Sequence, residues 1–152
     1  MSYWIFQGGP ETEWLLQKDS PFDTFFWTAN KNVAAGEVAF IYLTAPISKI
    51  IAGVNILKEP FFNPAETSMF DNPFMFNKWC VEVGNALYYG QHDDLSIANM
   101  RKLFSFDWGW VRYPRGSTRI PDEIVNPFLE MLSPFLPTIA IEVQIPEVSD
   151  AN

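Results

Sequence analysis

Ala35-Gly36-Glu37-Val38-Ala39-Phe40-Ile41-Tyr42-Leu43 is a turn followed by six apolar residues in a row. Gly36 and its charged neighbour mark the turn. The run after it is short, shows no polar alternation, and carries β-branched and aromatic side chains. It is therefore expected to be a strand buried on both faces. Such a strand needs a neighbour on each side and cover above and below, and the flanking sequence supplies both. Ahead of it, Tyr3-Trp4-Ile5-Phe6-Gln7 is short and β-prone and stops at Gly8-Gly9-Pro10, a turn signal. After it, Ala45-Pro46 breaks the run, and Ser48 to Leu57 make the next strand, with Gly53 expected at a bulge or a close backbone approach. Farther on, Trp79, Val81 and Val83 alternate on one face of a strand over 79–83, and 138–145 reads as a closing strand.

Helical signals are fewer. Glu13 to Lys18 has room for one or two turns. Asp93-Asp94 precede Ile97, Met100, Leu103 and Phe104 at helical spacing, which gives a short amphipathic helix with an acidic start. A last helix falls between Pro121 and Phe135, with Ile124, Val125, Phe128, Leu129 and Leu132 on one face. Pro127 either kinks it or begins it, with Asn126 as N-cap. Residues 60–76 hold three prolines among Phe and Asn and read as a loop; 108–113 reads as extended, 115–118 as a polar loop, and 147–152 as a frayed end. No repeat or linker divides the chain. The expectation is one α+β domain over 1–152, with its core in 3–145, built around a curved sheet or small barrel of about five to six strands flanked by short helices.

The composition narrows the function. A chain of 152 residues suits one domain, and 48% hydrophobic residues fit a packed core. One cysteine, Cys80, excludes a disulfide framework and fits a reducing cytoplasm, the expected location. The apolar region 38–48 is too short to span a bilayer, and the N-terminus lacks the basic and apolar regions of a secretory signal. A formal charge of −8 argues against broad coating of nucleic acid. The charge is uneven, however. All four arginines (Arg101, Arg112, Arg115, Arg119) and Lys102 lie between 101 and 119 with Asp107 as the one acid there, while the rest of the chain is strongly acidic. A local basic patch on an acidic body suits contact with a few phosphates; pairing of the arginines with nearby carboxylates is the other reading.

Several chemistries lack their parts. There is no Gly-Lys-Ser/Thr phosphate loop, no Gly-x-Gly-x-x-Gly turn and no Gly-x-Ser-x-Gly elbow. One Cys and one His cannot build a zinc site. Cys80 and His92 make a nucleophilic pair only if the fold joins them, and no third orienting group is evident. Asp93 and Asp94 suit capping better than acid–base work. No enzyme activity, metal or cofactor is expected. What the sequence does offer is aromatic side chains beside glycine and small polar groups, the parts of a pocket for a flat heterocycle. Trp27 with Thr28 and Asn30 is one such constellation, and Gln7-Gly8-Gly9 is another, whose glycines would let backbone groups approach a ligand. The other place for Trp27 is the core, with Phe25 and Phe26.

Four segments together resemble the EVE domain family, within the PUA-like superfamily that also holds the YTH and ASCH domains. They are Tyr3-Trp4-Ile5-Phe6-Gln7-Gly8-Gly9-Pro10, Trp27 with Thr28-Ala29-Asn30, the 35–42 stretch, and Arg112-Tyr113-Pro114-Arg115-Gly116-Ser117-Thr118. Ile50-Ile51-Ala52-Gly53-Val54 and Glu59-Pro60 match the strand between. Glu37 stands where the family usually has Asp, and Gly9 where stand-alone members have Ser. The resemblance spans roughly 3–135 and implies a PUA-like pseudo-barrel that reads a modified base, notably 5-methylcytosine or 5-hydroxymethylcytosine in DNA, by flipping it into an aromatic pocket. Trp27 would wall that pocket; Gln7, Gly8, Gly9, Thr28 and Asn30 would supply edge contacts. Arg112, Arg115, Arg119 and Lys31 would meet flanking phosphates. The partner expected is nucleic acid, DNA ahead of RNA, with no membrane, a monomeric state, and a nuclease or restriction-type protein as a candidate associate. An RNA-binding module of the same fold, and a protein-interaction or small-ligand domain, stay open beside it.

Overall fold

The computed structural model describes residues 1–17, 23–104 and 106–135. Its strands are β1 (Tyr3–Gly8), β2 (Thr24–Thr28), β3 (Val38–Leu43), β4 (Lys49–Ile56), β5 (Phe61–Asn63), β6 (Lys78–Tyr88) and β7 (Thr118–Arg119). Three helices join them: α1 (Glu13–Leu16), α2 (Ile97–Phe104) and α3 (Asp122–Leu132). All seven strands form one sheet in the order β2-β6-β4-β3-β1-β7, with β5 on β6. The β1–β3 pair is parallel and the others are antiparallel.

The apolar run 38–43 is β3, all six of its residues are buried, and it lies between β4 and β1 as its two-faced burial requires. Gly36 makes the turn before it at φ +90°, a conformation that a side chain would strain. Alternation on β1 then divides the core. Tyr3 and Ile5 join Phe40 and Tyr42 on one face, against Met100 and Phe104 of α2, Trp108, Trp110, and Ile124 and Phe128 of α3. Trp4 and Phe6 join Ile41, Val54, Val81 and Trp27 on the other, inside the curve of the sheet with Leu16 of α1. The edge strand β2 does not pair with β1, yet Trp27 Nε1 donates to the Gln7 carbonyl across 3.1 Å. One side chain therefore links strands that four places separate in the sheet, and this contact closes the pseudo-barrel.

Several expectations need correction. The 108–113 segment is not extended; Gly109–Val111 forms a 3-10 turn that buries Trp108, Trp110 and Val111 together. The last helix begins at Asp122 and keeps Pro127 within it. The carbonyl left without a donor there belongs to Glu123, on the exposed side, where water serves. Leu103 faces solvent, so the buried stripe of α2 is Ile97, Met100 and Phe104. The loop over 60–76 contains β5, and β6 extends well past 83. The bulge expected near Gly53 is present as a register shift between β4 and β6. The closing strand over 138–145 and the 147–152 tail lie outside the described residues, as does Lys18. Among those residues no helix is long and apolar enough to cross a membrane.

Candidate functional site

Parallel pairing with β3 brings β1 to its end at Gly8, beside the end of β2 at Thr28. A cavity of about 600 Å³ opens between these two strand ends, the Pro10–Thr12 turn, and the 72–75 segment. Gln7, Gly8, Gly9, Trp27 and Thr28 all line it, together with Glu11, Phe26, Phe74 and Lys78. A second hollow of about 470 Å³ adjoins it, sharing Gln7, Thr28 and Lys78 and adding Ala29, Asn30, Trp79, Gly116 and Ser117.

Trp27 is buried, and its indole is fixed by the bond to Gln7, by an edge contact with Phe25 at 6.0 Å, and by Gly8. A Cβ on Gly8 would sit 2.5 Å from the indole Cζ2, so no other residue fits at position 8 without moving the ring. The side-chain Oε1 of Gln7 is buried and has no hydrogen-bond partner. An amide oxygen left in that condition costs about 1–3 kcal/mol unless a ligand or water satisfies it.

Likeness in sequence is slight and likeness in shape is not. No family model matches the chain, and no curated protein matches it in sequence. A protein from Leishmania major superposes with a TM-score of 0.63 at 12% identity, covering 88% of this chain and 96% of that one. An ASCH protein from Zymomonas mobilis gives 0.54 at 11%, covering 84% and 94%. Human THYN1, in complex with 5-methylcytosine-containing DNA, gives 0.54 at 14%, covering 86% and 97%. This is the PUA-like fold.

Within the PUA-like fold of this chain, five of the residues singled out from sequence, Gln7, Gly8, Gly9, Trp27 and Thr28, meet at one cavity, and Asn30 lines the hollow beside it. Some of their polar atoms are already engaged. The Gly8 carbonyl accepts from Thr44 N, and the Gly9 carbonyl from Thr12 N and Oγ1. Asn30 Oδ1 accepts from Asn32 N. The edge-reading atoms left over include the side-chain amide of Gln7, the Thr28 hydroxyl and Asn30 Nδ2, joined by the Glu11 carboxylate, unforeseen from sequence, which lies over Gly9.

The basic window disperses. Arg101 Nε donates to the Val111 carbonyl at 2.8 Å and braces the 3-10 turn. Arg119 pairs with Asp122 at 2.6 Å and bonds Ser2 at 3.1 Å. Its strand partner is Trp4, so it sits at the opposite end of β1 from the cavity. The Arg112 guanidinium lies beside Gly109. Arg115 is exposed and directly precedes Gly116 in the hollow's wall; Lys31, also exposed, follows Asn30. The loop that carries Arg115 is held to the end of β2 by Asn30 N donating to Ser117 Oγ at 2.5 Å.

Lys78 and Trp79 are among the lining residues that sequence reading passed over. The adjacency of a cation and a tryptophan at a strand start was the available signal. Cys80 and His92 have separate surroundings. The Cys80 thiol is buried near the Met75 and Lys78 carbonyls, whereas the His92 ring lies against Phe135. Burial pushes the Cys80 thiol up, with Lys78 opposing, so the group stays protonated at neutral pH and is a poor nucleophile.

Proposed function

We propose that this PUA-like domain binds nucleic acid without catalysis and holds one modified base in the cavity between the ends of β1 and β2. The observation that carries this reading is the buried, unpartnered Gln7 Oε1 beside a locked Trp27 wall. A flat ring set against the indole would present its edge to that amide. The Glu11 carboxylate is the acceptor type that suits an exocyclic amine such as cytosine carries. The 5-methylcytosine DNA bound by human THYN1 in a like fold favours a methylated cytosine in DNA over other bases. Flipping a base costs a few kcal/mol, and one aromatic contact returns roughly 1–3 kcal/mol, so the edge contacts and phosphate contacts both have work to do.

The test is fluorescence polarisation with matched duplexes that differ in one 5-methylcytosine. The methylated duplex is expected to bind about tenfold or more tightly, the range in which one methyl group is read by an apolar wall. Gln7→Leu is expected to leave stability unchanged or raised, since it removes an unpaired buried oxygen, while weakening methylated binding about tenfold. Equal affinity for both duplexes, unaffected by Gln7→Leu, would defeat the reading. Tighter binding of single-stranded RNA in the same assay would replace DNA by RNA as the ligand.

A further inference from the structure

The second hollow has its own aromatic wall. Trp79 is 37% exposed, although Val81 and Val83, which alternate with it along β6, are fully buried. Its cross-strand partner on β5 is Phe62, 46% exposed, whose ring meets the indole in a T-shaped contact at 6.0 Å. Two aromatic side chains therefore stand in solvent side by side, braced against each other and not covered by the fold. Cross-strand pairing holds them rigidly, so a flat group that stacks there has little ordering entropy to overcome. Lys78 is exposed, precedes Trp79 and lines both cavities. It is thus the cation that the two cavities share.

We propose that the hollow walled by Trp79 is a subsite for the nucleotide adjacent, on the same strand, to the one held at Trp27. This rests on the base-binding reading above. The neighbouring base stacks on Trp79, with Phe62 as the brace, and the Lys78 ammonium meets the phosphate that joins the two nucleotides. The far wall, Gly116-Ser117, is fixed by the Asn30–Ser117 bond, so the hollow has a set width. The recognition unit is then a dinucleotide, and the neighbour must offer a free base face, as it does once the adjacent base has left the stack. Stacking of this kind tolerates any base identity and adds affinity without choosing the modification.

The test uses the full chain with fluorescein-labelled duplexes carrying one 5-methylcytosine, either intact or with an abasic site at its 5′ or its 3′ neighbour. Trp79→Ala is expected to weaken binding about 5- to 150-fold. Trp79→Phe is expected to keep most of the affinity, and both variants to keep the preference for methylated over unmethylated duplex. An abasic site at one of the two neighbours should weaken the wild type by a similar factor and barely weaken Trp79→Ala, because the two changes remove the same contact. Circular dichroism melts of both variants confirm the fold. Wild-type affinity in a folded Trp79→Ala, or losses that multiply at both neighbours, would overturn the subsite and leave the base reading standing. A wild type that binds no nucleic acid overturns both. Binding without preference for the methylated duplex removes the modification reading alone, with the subsite still decided by the abasic comparison.

Discussion

The indole of Trp27 is held on three sides: by hydrogen bonding to Gln7, by the edge of Phe25, and by the bare backbone of Gly8. The same ring closes the barrel and walls the cavity, so the choice between core and pocket that its spacing left open does not arise. Trp27→Ala removes a buried aromatic, at about 3–5 kcal/mol, and confounds lost binding with lost structure. Gly8→Ala is the sharper probe. Its added methyl would lie 2.5 Å from the indole, so the ring must swing and release the Gln7 carbonyl. Overpacking of this sort costs about 1–3 kcal/mol. The expected outcome is a lowered melting temperature, a folded protein, and loss of modified-base binding; an unshifted melt would show that the indole has room to move. Burial acts elsewhere on single groups too. Tyr42, Tyr88 and Tyr89 are all pushed above the usual phenol range, chiefly by burial. Unfolded tyrosines ionise near pH 10 while the folded ones hold their protons, so stability is complete below that pH and is lost as pH rises past it.

Among the elements, the β1–β3 pair organises the rest, and Glu37 fastens its start. One carboxylate accepts from Trp4 Nε1 at 2.8 Å, Ala34 N at 2.9 Å and Ser2 N at 3.1 Å, tying the 34–37 turn to the first strand. A carboxylate at this position is therefore structural. Glu37→Ala leaves these donors without an acceptor, at about 1–3 kcal/mol for each one that water cannot reach. The expected outcome is a lower midpoint in urea with an unchanged preference for methylated DNA, since the site lies at the far end of β1. A changed preference would mean that the two ends are coupled. Strands β1, β3 and β4 were legible because their burial is carried by local runs of apolar residues. The 108–113 segment was not, because Trp108 and Trp110 mimic strand alternation while Val111 is buried as well, a pattern only tertiary packing settles. Nor was the full length of β6, whose later residues are half-buried and carry no alternating signal. The cavity was legible in part. Gln7, Gly8 and Trp27 belong to short motifs, whereas Lys78 and Glu11 come to it from elements whose positions no local pattern specifies.

Over the whole molecule, charge and contact geometry set how strongly any nucleic acid is held. The chain is acidic at −8, and two of the five cations in the basic window that stood against this total are engaged within the chain: Arg101 on the Val111 carbonyl, Arg119 on Asp122 and Ser2. Among the described residues, the cations beside the cavities are Lys78, which lines both, and Lys31 and Arg115, which adjoin lining residues in the chain; all three are exposed, and Arg115 alone of them comes from that window. Each phosphate neutralised in duplex DNA contributes roughly −0.9 to the slope of log affinity against log salt. Three cations therefore set a slope of about −3 at most, shallow for a DNA-binding protein, and the acidic body adds no attraction to steepen it. Arg115→Gln is expected to make the slope shallower by about one and to weaken methylated and unmethylated duplexes alike, because a phosphate contact carries no base information. Arg119→Gln is expected to leave the slope unchanged and to lower stability slightly, since its partners are Asp122 and Ser2. A slope unmoved by changing Lys31, Lys78 and Arg115 in turn, but reduced in Arg119→Gln, would place the bound strand at the other end of β1. That outcome would move the interface away from both cavities, so the salt titration discriminates between the two ends of the barrel without a structure of the complex.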